Sequence, residues 1–322
     1  MTLFQLGYVA MSVHLKNSSP SQTMTFKRFS QFENREAAIR KLELIAKSNL
    51  ENCLRLLKHN KAYDITFFRL SSRLVPLATH EELSNWDYIT PIKDELKAIG
   101  EFATKHDMRV GFHPDHFVIL NSPKKELLQS AIKNLKYHYN LLTAMGIDPT
   151  HRCVLHLGGK YENKMKSLER FIENWAYIPP HLQNMIMLEN DDKIYTTDDL
   201  LYVCEKLNIP FVFDLHHHKA NHEDFNWEKD WNRIVDTWSH SPLPVKMHIS
   251  SPKSEKQFRH HADYINADMF RGFVEAANGS TEKIDCMIEA KKKDEALIQL
   301  MNALERHPQI EKNNAASFYF KT

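Results

Sequence analysis

The sequence predicts an α/β fold: a single (β/α)8 (TIM) barrel with a metal site at the C-terminal ends of its strands. Three observations carry this. Short apolar runs alternate with amphipathic helical patterns eight times between residues 4 and 306. Such alternation builds parallel sheet, and eight units suit a closed barrel. No GxGxxG or GxxxxGK[ST] turn follows any run, which argues against a doubly wound open sheet. Finally, 322 residues with 42% hydrophobic and 26% charged side chains are enough to bury one large core.

The elements follow in order. Residues 4–11 form the first apolar run, and a long amphipathic pattern over 34–57 is the first helix. Strand-like runs recur at 64–70, 108–113, 153–157, 185–189, 211–215, 245–249 and 283–289. Helical patterns lie between and after them, at 91–106, 124–145, 163–176, 196–207, 226–238, 266–277 and 293–306. Ser122-Pro123, Thr197-Asp198-Asp199 and Asn266 are helix-start signals, while Gly146 and Gly279 stand where helices should stop. The barrel domain is expected to span 1–310. Residues 311–322 form a C-terminal tail whose Phe318, Tyr319 and Phe320 can pack back on the body.

Composition excludes several classes. Lys+Arg is 42 and Asp+Glu is 41, a net charge of +1, so a uniformly basic nucleic-acid-binding chain is excluded but a local basic face is not. Cys53, Cys153, Cys204 and Cys286 form no CxxC pair and read as buried small hydrophobes in a reducing compartment. The first residues lack a basic segment and a long apolar core, and no apolar stretch is long enough for a membrane span. A cytoplasmic enzyme is the expectation, with no membrane association and no obligate protein partner.

The unusual feature is 19 histidines. In a (β/α)8 barrel the C-terminal strand ends meet around one axis. Six consecutive strands end on His113, His156, Glu189, Asp214, His248 and Glu289. This set of carboxylates and imidazoles, without thiolates, suits Mn, Zn or Fe. So many ligands fit two or three ions with bridging carboxylates, the usual apparatus for phosphoryl hydrolysis. His80 and His261 lie in loops, where spacing alone leaves their role open. The triplet His216-His217-His218 cannot coordinate together, because neighbouring side chains diverge; one member is expected to join the site. The helix- and connector-borne histidines, among them His138 and His151, are expected at the surface.

Lys246 stands two residues before His248 and shares its side of the strand. A free ammonium buried near cations is costly, so Lys246 is expected either to carry a carboxylate modification or to pair with an acidic ligand. Loops after the strands are rich in lysine and arginine, including Lys160, Lys253, Lys256, Arg259 and Lys291 to Lys293. They give a near-neutral chain the means to present a basic face to phosphates.

Together these segments resemble the UV damage endonuclease family, a branch of the barrel superfamily that also holds endonuclease IV and xylose isomerase-like enzymes. The matching stretches are FRLSSRLVPLATH ending at His80, HPDHF from His113, HLGG from His156, LEND from Leu188, FDLHHH from Phe213, KMHISS from Lys246, HADYI from His261, and IEAKKK from Ile288. They span nearly the whole chain, from Gly7-Tyr8 onward.

The resemblance implies nine metal ligands: His80, His113, His156, Glu189, Asp214, His217, His248, His261 and Glu289. Lys246, Glu189, Asp214 and His248 are implied in catalysis. It also implies two or three divalent ions, with Mn favoured and Zn an alternative, and damaged double-stranded DNA as substrate. The implied reaction is hydrolysis of the phosphodiester immediately 5′ of a photoproduct (cyclobutane dimer, 6-4 photoproduct or abasic site). Water activated by the metals leaves a 3′-hydroxyl and a 5′-phosphate. Tyr8, Ser12, His116, Phe117 and Lys160 are expected at the DNA or lesion. Two departures stand out: many members have Gln-Tyr where this chain has His116-Phe117, and Asn near Ser12. A divalent-metal sugar isomerase and a non-cleaving damage-binding metalloprotein are the competing readings.

Overall fold

The structure, a computed structural model, describes residues 1–321. The eight apolar runs become parallel strands: β1 (Leu3–Val9), β2 (Phe67–Arg69), β3 (Arg109–Gly111), β4 (Cys153–His156), β5 (Ile186–Glu189), β6 (Phe211–Asp214), β7 (Val245–Ile249) and β8 (Lys283–Ile288). Their hydrogen-bonded order is β3-β2-β1-β8-β7-β6-β5-β4. An isolated parallel bridge from Phe112 to Cys153 joins β3 to β4 and brings the ring to near closure.

Helices surround the ring: α1 (Phe26–Phe29), α2 (Arg35–Ala62), α3 (Lys93–Lys105), α4 (Lys125–Ala144), α5 (Lys164–Trp175), α6 (Pro180–Gln183), α7 (Thr197–Leu207), α8 (Leu215–Ala220), α9 (Glu228–Asp236), α10 (Ala267–Ala277) and α11 (Lys293–Leu304). Most begin where cap chemistry predicts. Thr196 and Asp199 form a reciprocal capping box on α7, and Asn266 accepts from Met269 N on α10. Ser122 departs from expectation: its hydroxyl accepts from Lys124 N in a turn, one step before α4 begins. Gly146 and Gly279 adopt the left-handed φ values, +72° and +85°, that a helix stop favours. No described helix is long and apolar enough to cross a membrane.

Strand alternation sorts the side chains. On β1, Phe4, Leu6 and Tyr8 turn toward the outer layer, where Phe4 stacks on Phe318 and Tyr8 reaches Asn60 of α2. Gly7 faces inward, and a Cβ there would meet the Phe67 carbonyl oxygen at 2.2 Å. Phe67, Met187, Met287, Arg109 and Lys246 surround an internal void of about 10 Å³, room for one water.

The chain after His307 turns into a hairpin, β9 (Ile310–Asn314) and β10 (Ser317–Phe320). β10 pairs antiparallel with Leu3–Gln5, while β2 pairs with the other half of the same strand, Gly7–Val9. Phe318 and Phe320 are buried, as their apolar pattern predicts. The surface assignment of His138 and His151 is corrected: both are buried. The His138 ring sits edge-on to Phe112 and Tyr137, filling space between α4 and the sheet.

Candidate metal centre

Glu189, the last residue of β5, is the hub of the site. It is buried, and four imidazoles from four other elements approach its carboxylate. His113 Nε2 is 2.9 Å from Oε2 and His156 Nε2 is 3.9 Å from it. His217 Nδ1 is 3.3 Å from Oε1, and His248 Nδ1 is 3.0 Å from it. Two groups of ligand atoms, His113–His156–Glu189 and Glu189–Asp214–His217, are each compact enough to hold a cation and share this carboxylate. On the far side, Glu289 lies 3.4 Å from His248 Nδ1 and 3.9 Å from His261 Nδ1.

The local folds explain the placement. Asp214 caps α8 by accepting from His217 N at 2.8 Å, which starts a short helix that was not predicted and turns His217 inward. Asn190 donates to Asp214 O and accepts from Asp214 N, tying the end of β5 to the end of β6. The histidine triplet divides as its geometry requires. His217 joins the cluster, His216 bonds Ser250 Oγ and Phe258 O of the β7 loop, and His218 bonds Thr197 Oγ1 and Phe225 O. His113 Nδ1 faces the Pro114 carbonyl at 3.1 Å. A carbonyl only accepts, so Nδ1 carries the proton and Nε2 presents its lone pair to the site.

The electrostatics are those of a site built for additional positive charge. Burial opposes ionisation of Glu189. His248, His156 and the close approach of His113 and His217 outweigh it and hold the carboxyl well below the usual range. Burial also opposes ionisation of Glu289, yet Arg69 and His248 keep it ionised. Asp214 is pushed up by burial and by the neighbouring Glu189 and Glu289 carboxylates. Burial lowers His113 to about 4, which leaves a neutral donor ring. Asp214 Oδ2 and both ring nitrogens of His248 are buried without hydrogen-bond partners. Buried polar atoms are rarely left so, and this donor set matches what divalent Mn or Zn takes. The residues present therefore fit the implied metals.

The expected site residues fare differently. The structure gathers His113, His156, Glu189, Asp214, His217, His248, His261 and Glu289. His80 is apart: its ring stacks on Phe26 at 3.9 Å, and its Nδ1 accepts from Glu82 N. Among the described residues, no ion pair or ring contact joins it to the other eight. Lys246 is buried one layer below His248, with its amine 5.6 Å above the Phe67 ring and no carboxylate within 4 Å among the described residues. Burial, Arg109 and Arg69 lower it to about 7. His116, Phe117 and Lys160 are exposed on the loops after β3 and β4.

Tyr8 and Ser12 require correction. Tyr8 is fully buried and donates to Asn60 Oδ1 at 2.5 Å, because it shares the outward face of β1 with Phe4 and Leu6; it has no surface to offer DNA. The Ser12 hydroxyl bonds Asp294 at the start of α11, which also accepts from Val13 N and His59. Ser12 anchors its loop. Sequence reading missed Arg69, whose guanidinium pairs with Glu289, as well as the loop-tying roles of Asn190, His216 and His218. Only the strand-end position of Arg69 signalled it.

Comparison with known proteins agrees with this geometry. A family model described as UV-endonuclease UvdE matches residues 4–321. The chain is 56% identical over 307 residues to a UV DNA damage endonuclease of Halalkalibacterium halodurans, covering 95% of each chain. It is 43% identical over 302 residues to one of Bacillus cereus, covering 94% of this chain and 95% of that one. Among solved structures, SacUVDE superposes with a TM-score of 0.83 at 28% identity, covering 94% of this chain and 98% of the other. Endonuclease IV from Thermus thermophilus superposes with a TM-score of 0.56 at 12% identity, over 94% and 100% of the two chains, and shares the barrel fold.

Proposed function

The chain belongs to the UV-endonuclease UvdE family, and from that premise we propose that it cuts damaged double-stranded DNA immediately 5′ of UV photoproducts, leaving a 3′-hydroxyl and a 5′-phosphate. The observation that carries the reading is the Glu189 hub: one buried carboxylate shared by two compact ligand groups, with unpartnered donors around it.

Two or three divalent ions, Mn favoured, would be held by His113, His156, Glu189, Asp214, His217, His248, His261 and Glu289. When bound, such ions supply Lewis acidity that activates water and stabilises charge on the phosphate oxygens. The chain's own residues do the rest. Glu189 links the ligand groups across the barrel mouth. Arg69 holds Glu289 through Oε1, while His261 faces Oε2. Asn190 and His216 fasten the strand ends and the β7 loop, so that the ligands meet without rearrangement. The Lys246 amine, lowered to about 7, would add carbon dioxide and release a proton, and the resulting carbamate would replace a cation without a carboxylate partner by an anion facing the ligand cluster. Intact mass after gentle preparation tests this assignment.

On the rim, Phe117 is 60% exposed beside an exposed His116. In our reading these two rings probe the distorted base pair by stacking, which needs no particular base, and Lys160 meets a nearby phosphate. Damaged pairs cost less to open than intact ones, and this supplies part of the selectivity.

One assay tests the function. Irradiated and unirradiated end-labelled duplexes are incubated with protein and Mn. The expected result is a metal-dependent nick just 5′ of each photoproduct, in irradiated DNA only. Binding without nicking supports a damage-binding protein, and indifference to DNA with turnover of a sugar supports an isomerase. Either result overturns the proposal.

A further inference from the structure

The basic residues of the catalytic face are not spread evenly. A cleft of about 360 Å³ opens between the loop after β7 and the end of β8, lined by Arg259, His260, His261, Glu289, Lys291 and Lys293. Two of these lining residues, His261 and Glu289, already belong to the cluster described above. The others put three cationic side chains and an imidazole within one short wall of it.

The cleft is built rather than incidental. The backbone amides of Lys291 and Lys292 donate to Ala262 O and Asp263 O, each at 3.1 Å, which clamps its two walls together. The β7 loop is a closed turn: Pro252 bridges His261, and Lys253 N donates to His260 O at 2.7 Å. His216 secures that loop from below through Ser250 and Phe258. Lys293 adopts φ +51°, a left-handed conformation that costs a non-glycine residue about 1 kcal/mol. Such strain persists where the surroundings enforce it, and it concentrates at functional sites.

The three consecutive lysines also separate in purpose. Lys292 pairs with Glu295 at 3.8 Å. Lys291 and Lys293 line the cleft, and neither has a carboxylate within 4 Å among the described residues. Arg259 has only a 3.9 Å contact to Asp192. Apart from Glu289 on the cleft wall, these two lysines have no carboxylate near them, so their charge is free to meet an anion.

We propose that this cleft binds a backbone phosphate of the DNA strand, adjacent to the linkage being cut. Lys291 and Lys293 supply the charge, and Arg259 and His260 close over the outer side. The inference rests on the endonuclease reading and sharpens it: it assigns one phosphate to one subsite and places the register of the strand in the β7–β8 wall.

The test is a double-mutant cycle between protein and DNA. Irradiated duplexes carry a single neutral methylphosphonate at successive positions flanking the photoproduct, and the metal-loaded enzyme is assayed for nicking. In the wild-type protein, one position beside the cut lowers kcat/KM about tenfold, as expected for losing one phosphate contact. The variant K291Q/K293Q loses a similar factor on ordinary DNA, mainly through KM. It loses nothing more at that same methylphosphonate, and its salt dependence is shallower by about one in log–log slope. The single variant K291Q, at an exposed residue, shows the same pattern more weakly and serves if the double variant does not fold. K292Q behaves as wild type. Penalties that multiply independently at every position, or wild-type kinetics in K291Q, overturn the proposal. If the wild-type protein leaves irradiated DNA intact, the endonuclease reading falls instead. The cleft is then judged by inorganic phosphate alone, which shields Lys291 and Lys293 from acylation if it binds there and leaves them as reactive as Lys292 if it does not.

Discussion

The inside of the barrel has two storeys that arrange buried charge differently. In the lower one, Arg109 answers Asp285 at 2.7 Å, donates to Pro244 O, and lies over the rings of Phe67 and Trp238. In the upper one, three carboxylates and five imidazoles crowd together, yet Asp214 Oδ2 and both His248 nitrogens find no hydrogen bond. The lower storey sets one guanidinium against one carboxylate, although Arg109 Nη2 and Asp285 Oδ1 keep no hydrogen bond and the Lys246 amine has no carboxylate within 4 Å among the described residues. The upper storey gathers carboxylates and imidazoles from many strand ends around one point. Both layers bury charge, and the difference lies in whether opposite charges are paired or possible ligand atoms are collected.

The sharpest way to break this contrast is Glu189→Gln. The substitution should lower nicking by at least about 10³-fold, the scale of losing a metal-based electrostatic contribution. Metal content should fall with it, read by elemental analysis of the purified protein. The metal-free variant should melt no lower than the metal-free parent, because the hub carboxylate is held for ions and not for the fold. A large loss of Tm would show that the upper storey is structural after all.

Arg109→Met should do the reverse. Removing the guanidinium leaves Asp285 with Lys283 alone, at 3.3 Å, and should cost up to about 3–5 kcal/mol in denaturant unfolding, while the folded protein keeps its metal content. The double variant R109M/D285L should recover much of that loss. An R109M protein of unchanged stability would mean that the lower pair contributes nothing.

Metal removal compares the storeys without mutation. Chelation of the wild-type protein should lower stability by about 2–4 kcal/mol, as expected when a ligand present at hundreds of times its Kd is withdrawn. Glu189→Gln, measured beside it, should hardly respond to the chelator.

A smaller effect separates a packed histidine from a ligand histidine. Burial lowers His138 to about 4, against about 6.5 in the unfolded chain. Its contribution is therefore complete above pH 6.5 and is lost as the pH falls toward 4, since the unfolded chain takes up the proton first. At pH 5 this amounts to about 2 kcal/mol. Melting of the metal-free protein between pH 7 and 5 should show the loss, and His138→Leu should flatten that part of the curve.

Much of this was legible in the sequence. The eight strands lie within a few residues of their expected positions, because strand-helix alternation needs no tertiary information. The strand-end ligands could be found because a barrel gathers the ends of distant strands by topology alone. What stayed hidden depends on partners that no local pattern names. Arg69 acquires its role from Glu289, 220 positions away, and His216 from the β7 loop. Tyr8 was misplaced although its parity with Phe4 and Leu6 points it outward. His138 was misplaced because a polar residue on a helix gives no sign of which face it occupies until the helix docks.

The hairpin at the end of the chain has a consequence for how the barrel is made. Leu3 to Gln5 pair with Lys283 to Asp285 on one side and with Ser317 to Tyr319 on the other. This half of β1 therefore keeps both edges open until β8 and β10, far along the sequence, have been made. Closure depends on contacts between residues far apart in sequence, a slow kind to form. Until then Leu3 to Gln5 present unpaired strand edges, which are prone to aggregation.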